Sequence, residues 1–223
     1  MAERESGPAG IRWDVLTIGC LSRNRYWGES DGRAYRQAIC TTTLIRAGKL
    51  AVVVDPGLPP EDMTRVLDQR AGILPEAVDL VFLTHFHADH RVGLEAFKNA
   101  EWYMASPEIE QWRRRLEADS PDREVLDILH PSGSELLPGV RVVATPGHTL
   151  GHASLLFECE GLQVVVAGDA AMTHDFFRER DYYFNTVDPI AAVSSIETVA
   201  RSADVVAPGH DNYFLNRRER QPE

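Results

Sequence analysis

Six residues limit this chain more than any others: His85-Phe86-His87-Ala88-Asp89-His90. They place three imidazoles and a carboxylate directly after the apolar run Val78 to Leu83, which reads as a buried strand. Burying these groups together without a cation is costly, because each polar atom loses its water. Imidazole and carboxylate are ligands that suit Zn²⁺ and, less often, Mn²⁺ or Fe²⁺. Four of them in one loop are too many for a single ion that also takes ligands from elsewhere. The segment therefore reads as serving two adjacent metals.

Five segments share one grammar, a short Val-rich run that ends in an acid or a histidine. They are Leu50–Val54 before Asp55, Leu80–Leu83 before Thr84-His85, Val140–Ala144 before Thr145-Pro146-Gly147-His148, Val164–Gly168 before Asp169, and Asp204–Gly209 before His210. Such runs, bounded by Gly or Pro, predict buried strands. Polar residues at the same end of several strands converge at one sheet edge, where α/β proteins place their sites. Trp13–Gly19 and Ala38–Ala47 read as further strands. Amphipathic patterns predict helices over Pro60–Ala71, Arg91–Asn99 and Pro107–Ala118. Another begins at Asp188-Pro189, with Asp188 as N-cap and Pro189 at the first helical position. Leu21–Gln37 and Asp119–Gly139 break the pattern and read as candidate substrate-covering loops.

Composition narrows the function. The 223 residues suit one domain. A net charge of −11, with Arg113-Arg114-Arg115 as the densest basic patch, argues against a nucleic-acid backbone as the main partner. No apolar run approaches the roughly 20 residues of a membrane span. Residues 1–10 lack the apolar core of a signal peptide and read as a flexible arm, and 217–223 as a polar tail. Residues 11–216 then form the folded domain, expected in the cytoplasm. Cys20, Cys40 and Cys159 are widely spaced and read as buried thiols in a reducing compartment. A small-molecule substrate fits this profile, and a homodimer is compatible with it.

The strand-end segments together resemble the metallo-β-lactamase-fold hydrolase superfamily. The matching residues are T-H-F-H-A-D-H (84–90), T-P-G-H-T-L-G-H (145–152), G-D (168–169), P-G-H-D (208–211) and V-V-D-P-G (53–57). The resemblance implies an α/β fold, a single-domain four-layer αββα sandwich with a two-metal site. It implies that His85, His87 and His148 hold one metal, that Asp89, His90 and His210 hold the second, and that Asp169 bridges them. Asp55 and His152 would support these ligands from behind. Asp89 would also be catalytic, passing a proton to the leaving group. The chemistry implied is cleavage of a small ester, lactone or thioester by a metal-bridged hydroxide. A phosphodiesterase or nuclease using the same metals is the alternative.

Within the superfamily the chain is similar to glyoxalase II and the N-acyl homoserine lactonases, because position 169 is Asp where the zinc lactamases usually carry a thiolate nearby. It departs from the lactonases at Ala170-Ala171-Met172, where they place a Tyr. His174, Tyr26 and Trp27 are candidate substrate contacts, and His130 reads as a surface residue.

Overall fold

The computed structural model describes residues 10–216. The expected N-terminal arm lies outside these residues except for Gly10, and the expected C-terminal tail lies wholly outside them. The first half of the chain builds one six-stranded sheet. Its strands are β1 (Arg12–Thr17), β2 (Thr42–Ala47), β3 (Leu50–Val54), β4 (Leu80–Leu83), β5 (Glu101–Ala105) and β6 (His130–Ser132), in that spatial order. Helices α1 (Pro60–Ala71), α2 (Ser106–Arg115) and α3 (Asp122–Ile128) connect them. The second half builds another such sheet from β7 (Glu135–Leu137), β8 (Val140–Ala144), β9 (Ala153–Cys159), β10 (Leu162–Gly168), β11 (Val205–Pro208) and β12 (Phe214–Leu215), again neighbouring in chain order. Here the helices are α4 (His174–Glu179) and α5 (Pro189–Ser202).

The strands alternate faces with period two, which divides the core into three layers. Val53, Val81 and Leu83 point outward and meet Met63 and Leu67 of α1, Ile109 of α2 and Leu126 of α3. Val52, Val54 and Phe82 point the other way and meet Leu155, Phe157, Val164, Val166 and Val205 of the second sheet. On that sheet's outer face Leu156, Val165 and Val206 meet Ile196 and Val199 of α5 and Phe177 of α4. Each fully buried side chain of this size contributes about 1.5–3 kcal/mol by leaving water. The result is the four-layer αββα sandwich.

The predicted strands and helices occur with shifted edges, and two differ more. No α-helix runs from Arg91 to Asn99. The Gly93 amide donates to Pro56 O at 2.8 Å, which ties the backbone sideways, and only a 3₁₀ turn forms at Leu94–Phe97. Helix α2 ends at Arg115 rather than Ala118, because Arg123 takes the carbonyls of Leu116 and Glu117 at 2.6 and 2.7 Å. Helix α5 begins as the sequence predicts, with the Asp188 carboxylate accepting the Ala191 amide at 3.0 Å. Strands β5 and β9 were not among the sequence expectations. Residues 119–139 form α3 and the edge strands β6 and β7, so they build the scaffold rather than cover a site.

Candidate metal centre

Parallel pairing sends β3 and β4 in the same direction, so Asp55 and His85 leave the sheet at the same edge. In the second sheet β10 and β11 are also parallel and deliver Asp169 and His210 together. The turn between β8 and β9 supplies His148 and His152. Five loops from both sheets thus meet at one point.

Asp169 lies at the centre, with 6% of its surface exposed. Its Oδ2 is 3.1 Å from His148 Nε2 and 3.8 Å from His85 Nε2. Its Oδ1 is 3.2 Å from His90 Nε2 and 3.4 Å from His210 Nε2. His87 Nδ1 is 2.9 Å from both His85 Nε2 and His148 Nε2. Asp89 Oδ2 is 3.7 Å from His210 Nε2. The ligand atoms form two groups, His85–His87–His148–Asp169 and Asp89–His90–His210, each within a span of 4.8 Å. One carboxylate oxygen faces each set of imidazoles.

The surroundings fit cations. His90 Nε2 and Asp169 Oδ1 are buried 3.2 Å apart without a well-aligned hydrogen bond, an arrangement that a divalent ion held by both residues would satisfy. Burial alone would raise the Asp169 carboxyl pKa, but His210, His90, His148 and His85 outweigh it and hold the group well below the ordinary range. Burial, reinforced by His90, keeps His85 well below its ordinary value, and burial moves His148 down to about 3. These rings are neutral at pH 7, the form that binds metal. Burial also acts to lower His90, yet the Asp169 and Asp55 carboxylates raise it well above the ordinary value. His210 is raised as well, because Asp169 outweighs its burial.

Behind the ligands lies a set of fixed partners. Asp55 adopts φ of +51°, an αL conformation that Asp tolerates better than most residues. Its carboxylate accepts the Thr84 amide and hydroxyl, each at 2.8 Å, and contacts His90 Nδ1 at 2.9 Å. That contact turns His90 Nε2 toward Asp169. His210 Nδ1 is 2.9 Å from Ile39 O. His152 is buried, and its Nε2 accepts the Asp169 amide at 3.1 Å.

A cleft of about 270 Å³ opens beside the centre, lined by His87, Asp89, Asp169 and His210. Leu21, Ala38, Met172 and Phe184 form its apolar wall, and Ser22, Tyr183 and Asn185 add neutral polar groups. No Lys or Arg is among the described residues lining it.

The three candidate substrate contacts stand elsewhere. The Tyr26 hydroxyl is held by Asp181 at 2.7 Å and its ring packs on Phe176. Trp27 is 58% exposed, with the Arg36 guanidinium over its ring. His174 is exposed and stacks on Phe214. Of the 21–37 loop, only Leu21 and Ser22 reach the cleft. His130 is exposed on β6.

Sequence reasoning missed Glu108, which is fully buried behind the His85–His87 loop. Its Oε1 accepts the Phe86 amide at 3.2 Å and Trp112 Nε1 at 2.7 Å. Its signal was a single acid on the apolar side of the predicted helix.

Residues 35–210 match the family model described as the metallo-β-lactamase superfamily. Over 183 residues the chain is 35% identical to metallo-beta-lactamase domain-containing protein 1 of Xenopus laevis, covering 80% of this chain and 73% of that protein. Over 164 residues it is 33% identical to an N-acyl homoserine lactonase of Bacillus cereus. That match covers 70% of this chain and 65% of the lactonase, less than two thirds of the relative's length. A solved N-acyl homoserine lactone hydrolase, with N-hexanoyl-L-homoserine bound at the catalytic metal center, has a TM-score of 0.68. It is 22% identical, with 92% of this chain and 94% of that one covered, a likeness of fold.

Proposed function

Because the chain belongs to the metallo-β-lactamase superfamily and is a metal-dependent hydrolase, we propose that it cleaves a small carbonyl ester, lactone or thioester using two divalent cations, with zinc the preferred ion and Mn²⁺ or Fe²⁺ as alternatives. The observation that carries this reading is the split of Asp169, with Oδ2 facing His148 and His85 and Oδ1 facing His90 and His210. His85, His87 and His148 would hold one ion and Asp89, His90 and His210 the other, with Asp169 shared.

Cations bound there supply Lewis acidity, which makes water nucleophilic at neutral pH and polarises a carbonyl. The chain does the rest. Asp55 fixes the His90 ring and His152 fixes the Asp169 backbone. Asp89 lines the cleft with its side chain 31% exposed; its carboxylate would take the proton that the attacking water loses and return it to the leaving alkoxide or thiolate. Leu21, Met172 and Phe184 would receive the apolar part of the substrate. The Cys40 thiol is buried and donates to Asp55 O at 3.2 Å, so it is turned away from any nucleophilic role.

The phosphodiester alternative finds less support. A cleft without Lys or Arg in its walls, in a chain of net charge −11, suits an uncharged ester better than a polyanion. The likeness to a lactonase supports the same choice. Zinc-loaded protein assayed on chromogenic lactone, thioester and phosphodiester substrates tests the reading. Turnover of a carbonyl substrate, lost at least a hundredfold in folded His87→Ala and Asp169→Ala variants, is expected. Phosphodiester turnover above that of every carbonyl substrate would overturn it.

A further inference from the structure

Helix α2 turns one face toward both loops that carry the first group of imidazoles. Glu108, Gln111 and Trp112 stand at positions i, i+3 and i+4 of that helix, so they share a side. Glu108 Oε1 accepts the amide of Phe86, the residue between His85 and His87. Its Oε2 accepts the Gly151 amide at 3.1 Å, in the turn that carries His148. Gln111 Oε1 accepts the neighbouring Leu150 amide at 3.0 Å.

The two loops leave different sheets, and this one carboxylate spans them. Residue 151 must be Gly for the approach, since a Cβ there would lie 2.1 Å from the Glu108 backbone nitrogen. Trp112, held by Glu108 Oε1 at 2.7 Å, sets its ring edge-on to His87 with centroids 5.9 Å apart. None of these contacts reaches the second group. His90 and His210 are oriented instead by Asp55 and the Ile39 carbonyl.

We infer that Glu108 is a positioning residue for the first cation subsite alone: it sets the register of the His85–His87 loop against the His148 turn. This inference rests on the two-cation reading above. A carboxylate serves here because each oxygen accepts backbone or ring N–H donors. In Glu108→Gln the amide NH₂ must face one of those donors, so one loop is released while the helix keeps its place.

The test is a Co²⁺ titration of the metal-free protein, followed by visible d–d absorption and bound equivalents. His148→Ala and His210→Ala assign each binding step to its group. In Glu108→Gln the step abolished by His148→Ala should weaken at least tenfold, in the range of about 10–100-fold found when a group behind a metal ligand is removed. The step abolished by His210→Ala should change less than twofold. Equal weakening of both steps, or no change in either, overturns the role of Glu108 while wild-type uptake of two equivalents leaves the two-cation reading standing. Wild-type protein that takes up no Co²⁺ overturns both. Trp112→Phe, which removes one donor but neither loop contact, should keep both steps within threefold; a tenfold loss of the first step there would overturn the role of Glu108 and assign the effect to the indole.

Discussion

His152 Nε2 accepts the backbone N–H of Asp169 at 3.1 Å, and this bond fixes the state of the ring. An amide only donates, so Nε2 carries no proton and Nδ1 carries one. Nδ1 then donates to Thr145 Oγ1 at 2.9 Å, Thr145 to Ser154 Oγ at 2.8 Å, and Ser154 to Ala167 O at 3.0 Å. The chain of bonds starts two residues before Asp169 and ends on its amide, so it clamps the strand end that presents the carboxylate.

A pH dependence follows from that clamp. Burial lowers His152 from 6.5 to about 3, so the folded ring stays neutral where the unfolded one is charged. Its contribution is nil above pH 6.5 and becomes a growing penalty as pH falls toward 3. At pH 5 the penalty is on the order of 2 kcal/mol. Urea unfolding of metal-free wild type and His152→Asn at pH 7 and pH 5 measures it. The wild type should lose more stability between the two pH values, by about that amount. Equal losses in both proteins would contradict the assignment.

Loading the metal-free protein at pH 7 should release protons. His90 is held well above its ordinary value because Asp169 and Asp55 outweigh its burial, so it is protonated in the free protein. A cation must displace that proton, and affinity therefore falls as pH falls. A weakly buffered zinc titration with a pH indicator should show acidification with uptake. Uptake with no proton release would mean that His90 is already neutral.

Gly209 is the tightest point beside the bridging acid. A Cβ there would sit 2.0 Å from Asp169 Oδ1, too close for either atom to stay. Gly209→Ala should fold with a loss of about 1–3 kcal/mol from overpacking. Because the atom it displaces faces His90 and His210, bound metal should drop by about one equivalent. Elemental analysis checks this, and two full equivalents in the variant would show that Asp169 has room to move.

Cys40→Ser should be close to neutral. The thiol is buried, and burial raises its pKa, so it is protonated and donates to Asp55 O. A hydroxyl makes the same bond, and stability should change by about 1 kcal/mol or less. Hydrolysis reduced more than tenfold in a stable variant would reveal a chemical role for the sulfur.

The site was legible in the sequence because its ligands sit at strand ends next to Gly and Pro, where local pattern and chemistry coincide. His85, Asp169 and His210 each follow a Val- or Leu-rich run. The supporting contacts were harder to read, since they form between distant segments. Glu108 is 43 residues from Gly151, and nothing near either announces the bond. Strand β5, Glu-Trp-Tyr-Met-Ala, lacks the Val-rich signature and is a strand because it pairs with β4. An aromatic residue in a polar loop, such as Tyr26, suggests a substrate contact. Asp181, 155 residues away, takes its hydroxyl instead. Such long-range captures are set by the tertiary fold.

Metal removal tests the central claim most directly. Protein stripped with a chelator should lose hydrolysis of carbonyl esters at least a hundredfold and regain it on addition of two equivalents of Zn²⁺ per chain. Stripped protein that turns over substrate as fast as the untreated sample would contradict the account.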